Sequence, residues 1–283
     1  MIKNQIKTVI LLGALTGILL LIGSYWGREG LFIALVFSIL MNFGAYWFSD
    51  KIALAIYRAK PVTEKEAPRL YKIVNQVASL ANIPIPKVYI IPASFSNAFA
   101  TGRNPKHAAV AATQGILDLL KDDELKGVIA HEISHIKNRD ILIQSVAATI
   151  AGIISYVAFM ARWGAIFGGI GGRDRQGSGL ELLVLAILTP ILATIIRLAI
   201  SRSREYLADE SGAKLLHNGF GLAAALEKLE SDIKHKPLRV TSTTETTAHM
   251  FIHNPFRGGG FIRLFMTHPP TKERIKRLKS MMF

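Results

Sequence analysis

Hydrophobic residues fall into two kinds of pattern along the chain, unbroken runs and periodic faces. Thr8 to Trp26 is an uncharged run of 19 residues, and Gly30 to Ser49 is another of 20. Each can cross a hydrocarbon core of about 30 Å as a helix rising about 1.5 Å per residue. Only Gly27-Arg28-Glu29 separates them, so the pair predicts a helical hairpin with a tiny outer loop. Lys3 and Lys7 precede the first run as they would a signal peptide. Its apolar stretch is long, however, no small-residue cleavage site follows, and the second run comes at once. Ile141 to Ala161 is a third uncharged run, of 21 residues, and Leu182 to Ile196 a fourth, of 15. For these last two, spanning helices, a partly inserted hairpin and a pair of long buried helices all remain open, since runs below about 17 residues fit each reading.

Between and after the runs the pattern becomes periodic. Leu70, Ile73, Val74, Val77 and Leu80 recur at helical spacing over Pro68 to Ala81. Lys87 to Ile91 reads as a strand bounded by Pro86 and Pro92. Asn97 to Thr101 and Ala108 to Ala112 read as two more, turned by Gly102-Arg103-Asn104-Pro105. Asp122 to Arg139 predicts a helix with Leu125, Val128, Ile129, Ile133 and Ile136 on one face. Asp122 or Asp123 suits its cap, and Glu124 the positive end of its dipole. No breaker separates it from the third run, which predicts a continuous helix or a short kink into the bilayer. Ser201 to Leu216 and Leu222 to Ile233 predict two further helices, Pro237 to Pro270 loops forming a cover, and Lys272 to Met281 a short basic helix. The chain thus divides into an N-terminal membrane hairpin (1–49), a first polar region (50–140), a second pair of hydrophobic helices (141–200) and a second polar region (201–283). The class is α+β, mainly α, with about four transmembrane or membrane-embedded helices.

Composition sharpens this. Half of the residues are hydrophobic, mean hydropathy is +0.32, net charge is +14 and the pI is about 10.0. So basic a chain suits nucleic acid or a membrane protein with basic cytoplasmic parts. The hydrophobic blocks favour the second, and no arginine-rich tract or aromatic-interleaved patch supports the first. Residues 50–140 carry thirteen Lys or Arg and the chain from Arg197 onward fifteen, whereas the outer loop of the hairpin carries only Arg28. Positive residues stay inside, so both polar regions are expected on the cytoplasmic face of a multi-pass protein. Arg173 and Arg175, between the third and fourth runs, oppose this mildly. The absence of cysteine excludes disulfides, thiolate metal sites and cysteine nucleophiles.

His131-Glu132-Ile133-Ser134-His135 fits H-E-x-x-H. Residues four apart share a helix face, so both imidazoles can meet one zinc ion while Glu132 lies beside them as general base. A catalytic zinc takes three protein ligands and keeps one position open. Glu205, in Arg204-Glu205-Tyr206-Leu207-Ala208-Asp209, is the candidate third ligand. Asp209, four residues on, is suited to hold a ligating imidazole in its tautomer. The bland alternative is a surface acidic pair balancing Arg202 and Arg204. Nitrogen-rich ligation with one carboxylate suits zinc best, one ion per chain.

With these motifs in place, the chain resembles the HtpX membrane metalloproteases, relatives of the zinc CAAX prenyl proteases. The resemblance runs through the two N-terminal runs, Asn97-Ala98-Phe99-Ala100-Thr101-Gly102, His131 to His135, two more hydrophobic runs, Glu205 with Asp209, and Thr267-His268-Pro269-Pro270-Thr271 followed by Arg274-Ile275. It implies a gluzincin-like domain with His131, His135 and Glu205 as ligands and Glu132 as the base. It further implies quality control at the inner membrane, with misfolded or damaged membrane proteins cut on the cytoplasmic side. Asn97, Ala98, Phe99, Ala100 and Thr101 resemble the edge strand that holds substrate in such proteases, through main-chain hydrogen bonds. His268, or less readily Arg274, is a candidate to stabilise the oxyanion of the tetrahedral intermediate. The ordinary alternative for the Thr267 to Thr271 stretch is a helix start. Other histidines, His249 and His253 included, lack ligand spacing to the motif. The rival readings are a non-catalytic zinc scaffold, a transporter and a prenyl-protein protease. The expected partners are unfolded polypeptides and the bilayer, not nucleic acid, and nothing in the sequence sets an oligomeric state.

Overall fold

The computed structural model describes residues 2–24, 27–147, 150, 202–235, 251–252 and 269–283. Most of the third hydrophobic run, all of the fourth, most of the 237–270 cover, and His249, His253 and His268 lie outside them. Helices α1 (Ile2–Ser24) and α2 (Gly27–Ile56) form the hairpin. The side chain of Asn42 donates to Thr16 Oγ1 across it at 2.8 Å, and Thr16 in turn donates to the carbonyl of Leu12 at 3.0 Å. α2 is the one described helix long and apolar enough to cross a membrane. It presents Phe32, Ile33, Leu40 and Phe43 outward, as a lipid-facing helix would. At 30 residues it runs about 45 Å, more than a hydrocarbon core requires. Its last turns therefore continue past the apolar run and join the polar region.

There they meet a four-stranded sheet in the order β1-β2-β4-β3. β1 (Lys60–Pro61) pairs antiparallel with β2 (Lys87–Ile91), which runs parallel to β4 (Ala108–Thr113). β3 (Ala98–Gly102) is antiparallel to β4 and forms the end of the sheet, with Phe99 opposite Ala111 and Ala100 opposite Val110. Side chains alternate between faces. Val88, Ala98, Ala100 and Val110 join the main core, formed with α3 (Pro68–Ala81) and α5 (Asp122–Lys137). Ile91, Phe99, Ala109 and Ala111 pack on the other side against Ala53, Leu54 and Tyr57, at the end of α2. The sheet is thus clamped between the end of α2 and α5.

The short α4 (Gln114–Leu119) is capped by Thr113, whose hydroxyl accepts from the Ile116 amide at 3.3 Å. The start of α5 differs from expectation. Glu124 reaches back to accept from the amide of Lys121 at 2.7 Å, so the N–H at the start of the helix is met by its third residue rather than by Asp122 or Asp123. α5 also stops short of the third run. Arg139 takes a left-handed conformation (φ 59°), and a new helical segment begins at residue 141. The expected kink is thus a defined break.

α5 is covered by α6 (Arg202–Leu216) and α7 (Phe220–His235), with α8 (Thr271–Lys279) against both. Glycines permit two close approaches. A Cβ on Gly127 would lie 2.5 Å from the amide of Leu222, and one on Gly212 would lie 3.0 Å from the amide of His131. Gly212 thus lets α6 lie against the backbone of the H-E-x-x-H segment. Gly212→Val should push the helices apart, lowering stability by about 1–3 kcal/mol and reducing bound zinc. Thermal melting and metal content check both, and a variant with unchanged zinc and melting temperature would contradict this role.

Candidate metal centre

His131 and His135 project from one face of α5 with perpendicular rings whose centroids are 4.8 Å apart. Their Nε2 atoms lie 3.2 Å from each other. Glu205 arrives from α6 with Oε2 3.6 Å from Nε2 of His131 and Oε1 3.6 Å from Nε2 of His135. Donors about 2.0–2.1 Å from a tetrahedral ion stand about 3.3 Å from one another, which these separations match. His131, His135 and Glu205 are all buried, with ligand atoms within 4.8 Å of one another, and so can hold a metal ion.

Each imidazole has a carboxylate behind it. Asp209 Oδ1 stands 2.9 Å from Nδ1 of His131, at an approach oblique to the ring N–H. Asp140 Oδ2 stands 3.3 Å from Nδ1 of His135. Both contacts leave Nε2 turned toward the shared point. Burial works against a charged His131, but the carboxylates of Asp209 and Glu205 outweigh it and raise its pKa to about 9. The same field favours any cation between these donors, a proton or a metal ion.

Asp209 is anchored by Arg274 from α8. The guanidinium donates through Nε at 2.8 Å and through Nη2 at 2.7 Å, and its Nη1 donates to the carbonyl of Ile252 at 2.6 Å. Burial pushes the Asp209 carboxyl up, yet the Arg274 charge overcomes this and holds it down at about 2. Asp209 in turn keeps the buried Arg274 firmly protonated. Arg274 is thus bonded to Asp209, the partner of His131, and to the Ile252 carbonyl.

Glu132 turns from the same helix toward the sheet, where Oε2 accepts from the amide of Ala100 at 2.8 Å. Burial raises its carboxyl pKa, and the charge of Glu205 adds to the effect. Thr113 donates its amide to the carbonyl of Asn97, which pairs those two residues across the ladder. By the antiparallel alternation, Ala98, Ala100 and Gly102 then turn their main-chain groups away from β4. Two of these groups have partners within the chain, since Gly102 N–H meets Ser145 Oγ at 3.3 Å and Ala100 N–H meets Glu132. Asn97 is buried, and its side-chain oxygen accepts from the Ile252 amide at 3.2 Å. Phe99 packs on Tyr57, with centroids 5.3 Å apart, and Thr101 pairs with Ser145 at 2.7 Å. His107 and His217 are both exposed, and neither belongs to the cluster.

A helix bearing H-E-x-x-H, crossed by a second helix bearing a glutamate and an aspartate four apart and flanked by a terminal strand, defines a metallopeptidase. The sequence model of peptidase family M48 matches residues 64–282, and the chain belongs to that family. Among its relatives, it is 52% identical over 284 residues to the protein named Protease HtpX homolog of Syntrophobacter fumaroxidans, covering 98% of this chain and 99% of that one. Its identity to the Protease HtpX homolog of Pyrococcus furiosus is 53% over 276 residues, covering 97% and 94%. The family expected from the motifs is the one found. Among solved structures, the fold is similar to that of S. mikatae Ste24p, with a TM-score of 0.53 and 19% identity, covering 98% of this chain and 66% of that one.

Asp140 and the Asp209 support by Arg274 were missed in the sequence reading. Asp140 lies five residues after His135, off the helical repeat, and comes into reach only through the turn at Arg139. Loss of such a carboxylate typically lowers metal affinity about 10–100-fold. Asp209→Asn and Asp140→Asn should each do so in competition with a chromophoric chelator. Asp209→Ala should in addition destabilise the fold by about 3–5 kcal/mol, because it strands the Arg274 charge. Unchanged zinc affinity in both Asn variants would contradict the assignment.

Proposed function

We propose that this protein is a membrane-bound zinc metalloendopeptidase of gluzincin type, which cuts misfolded or damaged membrane proteins on the cytoplasmic side of the cell membrane. The observation that carries the reading is the convergence of His131, His135 and Glu205 at one buried point, with Glu132 beside them on α5 and bonded to the terminal strand. The three form the ligand set, with one zinc per chain. When bound, zinc supplies a Lewis acid that lowers the pKa of water to about 7 and polarises a carbonyl.

Glu132 is the general base. Burial raises its carboxyl pKa above the ordinary carboxylate value, which makes it a stronger base toward water. The Ala100 amide fixes its orientation. Glu132 takes a proton from the attacking water and hands it to the leaving amine. Asp209 and Asp140 hold the two imidazoles with Nε2 toward the ion, and Arg274 keeps Asp209 ionised. A peptide adding to β3 pairs with the outward main-chain groups that are not bonded to Glu132 or Ser145, so its side chains are weakly read, which suits broad degradation of damaged proteins. His268, in the Thr267 to Thr271 stretch, is proposed to steady the oxyanion. The hairpin α1–α2 anchors the domain, together with the hydrophobic runs at 141–161 and 182–196. The excess of Lys and Arg in both polar regions supports the cytoplasmic orientation. A purely structural zinc site would leave the buried Glu132 without a task.

The test is proteolysis of an unfolded substrate by detergent-purified protein, stripped with chelator and reloaded with zinc, alongside Glu132→Gln. Cutting should return with zinc and fall about 10²–10⁴-fold in the variant, while zinc content stays the same. Equal cutting by both proteins would overturn the role of Glu132. Zinc retained by both with no cutting by either would favour a scaffold.

A further inference from the structure

The β3–β4 hairpin reaches the membrane helix. Arg103, at its turn, lies over the ring of Trp47 in α2, with the guanidinium carbon 4.3 Å from the ring centroid. Trp47 belongs to an aromatic group with Phe43, Tyr46 and Phe48, their centroids 5.6 to 6.4 Å apart in successive pairs. All four rings are exposed. They sit where the uncharged run ends, just before Asp50 and Lys51. Trp and Tyr concentrate at the headgroup level of bilayers, so this girdle marks the membrane boundary and sets the hairpin turn at the same height. Further exposed cations lie on the hairpin turn and at the end of α2. Lys106 stands on the turn, and Lys51 and Arg58 on and just after the end of α2, with Lys51 5.3 Å from the Phe48 centroid. Asp50 is the one acidic residue on that stretch of α2 and its following turn, residues 50–61.

We infer that the hairpin turn, with Arg103 and Lys106, is a binding surface for anionic phospholipid headgroups. The inference rests on the membrane-bound reading above and adds a contact beyond insertion of the helices. Charge complementarity identifies the occupant. Arg103 and Lys51 lie against a girdle continuous with the exposed apolar face of α2, so the surface they meet is the one into which that face inserts. Each basic residue near an anionic leaflet adds about fivefold to local association. The consequence concerns the site. Gly102 closes β3 beside the turn, and Ala100, which meets Glu132, is two residues away, about 7 Å along a strand. Lipid seating of the turn would hold the terminal strand against the membrane surface, beside the first extended residues of a chain leaving the bilayer.

Because the chain has no cysteine, single cysteines can report position. The full chain would carry an environment-sensitive fluorophore at His107→Cys or, separately, at Leu40→Cys. Each would be reconstituted into vesicles of phosphatidylcholine alone and of an equal mixture with phosphatidylglycerol. The Leu40 probe should lie in hydrocarbon in both. The His107 probe should shift to the blue only in the anionic vesicles. That shift should vanish at about 1 M salt, where screening acts beyond about 3 Å, and in the double variant Arg103→Glu, Lys106→Glu. A His107 probe in water in both vesicles, or a shift independent of lipid charge, would overturn the inference while a buried Leu40 probe upheld the membrane reading. Both probes in water would overturn the membrane reading itself. Proteolysis enters neither readout, so failure of the protease reading would show separately.

Discussion

Among the described residues, four carboxylates, those of Glu132, Asp140, Glu205 and Asp209, are buried together with two guanidiniums, those of Arg204 and Arg274. With all of them ionised, these carboxylates outnumber these guanidiniums, and burial makes an excess of negative charge unfavourable. The two imidazoles beside them are neutral donors when they ligate. A divalent cation between Glu205, His131 and His135 balances the group and satisfies the ring nitrogens at once. The surrounding architecture holds this charge cluster together. Gly212 lets α6 approach, Arg274 pins α8 to α6, and the turn at Arg139 swings Asp140 back onto His135.

The same contacts join the metal helix to the sheet. Arg274 bonds both Asp209 and the Ile252 carbonyl, and the Ile252 amide donates to Asn97, at the start of the terminal strand. Glu132 bonds the middle of that strand. The centre and the strand proposed to align substrate are thereby held in one register by buried polar links. In a catalytic site such links keep the base and the scissile bond at a fixed separation. The end of α2 packs on the opposite face of the sheet, so the membrane anchor also orients the strand.

Much of this was legible in the sequence because helical spacing carries it. His131 and His135, and separately Glu205 and Asp209, are four apart, and their sharing of faces needed only that α5 and α6 be helices. The run Lys87–Ile91 between Pro86 and Pro92 and the hairpin chemistry of Gly102 to Pro105 likewise yielded strands. Contacts set by tertiary approach were not legible. No periodicity aims Asp140 at His135, since the left-handed Arg139 lies between them. Arg274 stood out only through the family resemblance, and its spacing does not show that it, rather than Lys272, Lys276 or Arg277, is the buried one that meets Asp209. The capping of α5 by Glu124 instead of Asp122 or Asp123 reflects a choice among three adjacent acids that geometry alone decides.

The most direct test of the central claim is X-ray absorption at the zinc edge on the reloaded, detergent-purified protein. The account predicts two imidazole nitrogens at about 2.0–2.1 Å and carboxylate oxygen at about 2.0–2.2 Å in a four-coordinate shell, with the carboxylate contribution lost in Glu205→Gln. A shell with no imidazole, a six-coordinate oxygen shell, or a spectrum unchanged by Glu205→Gln would contradict it.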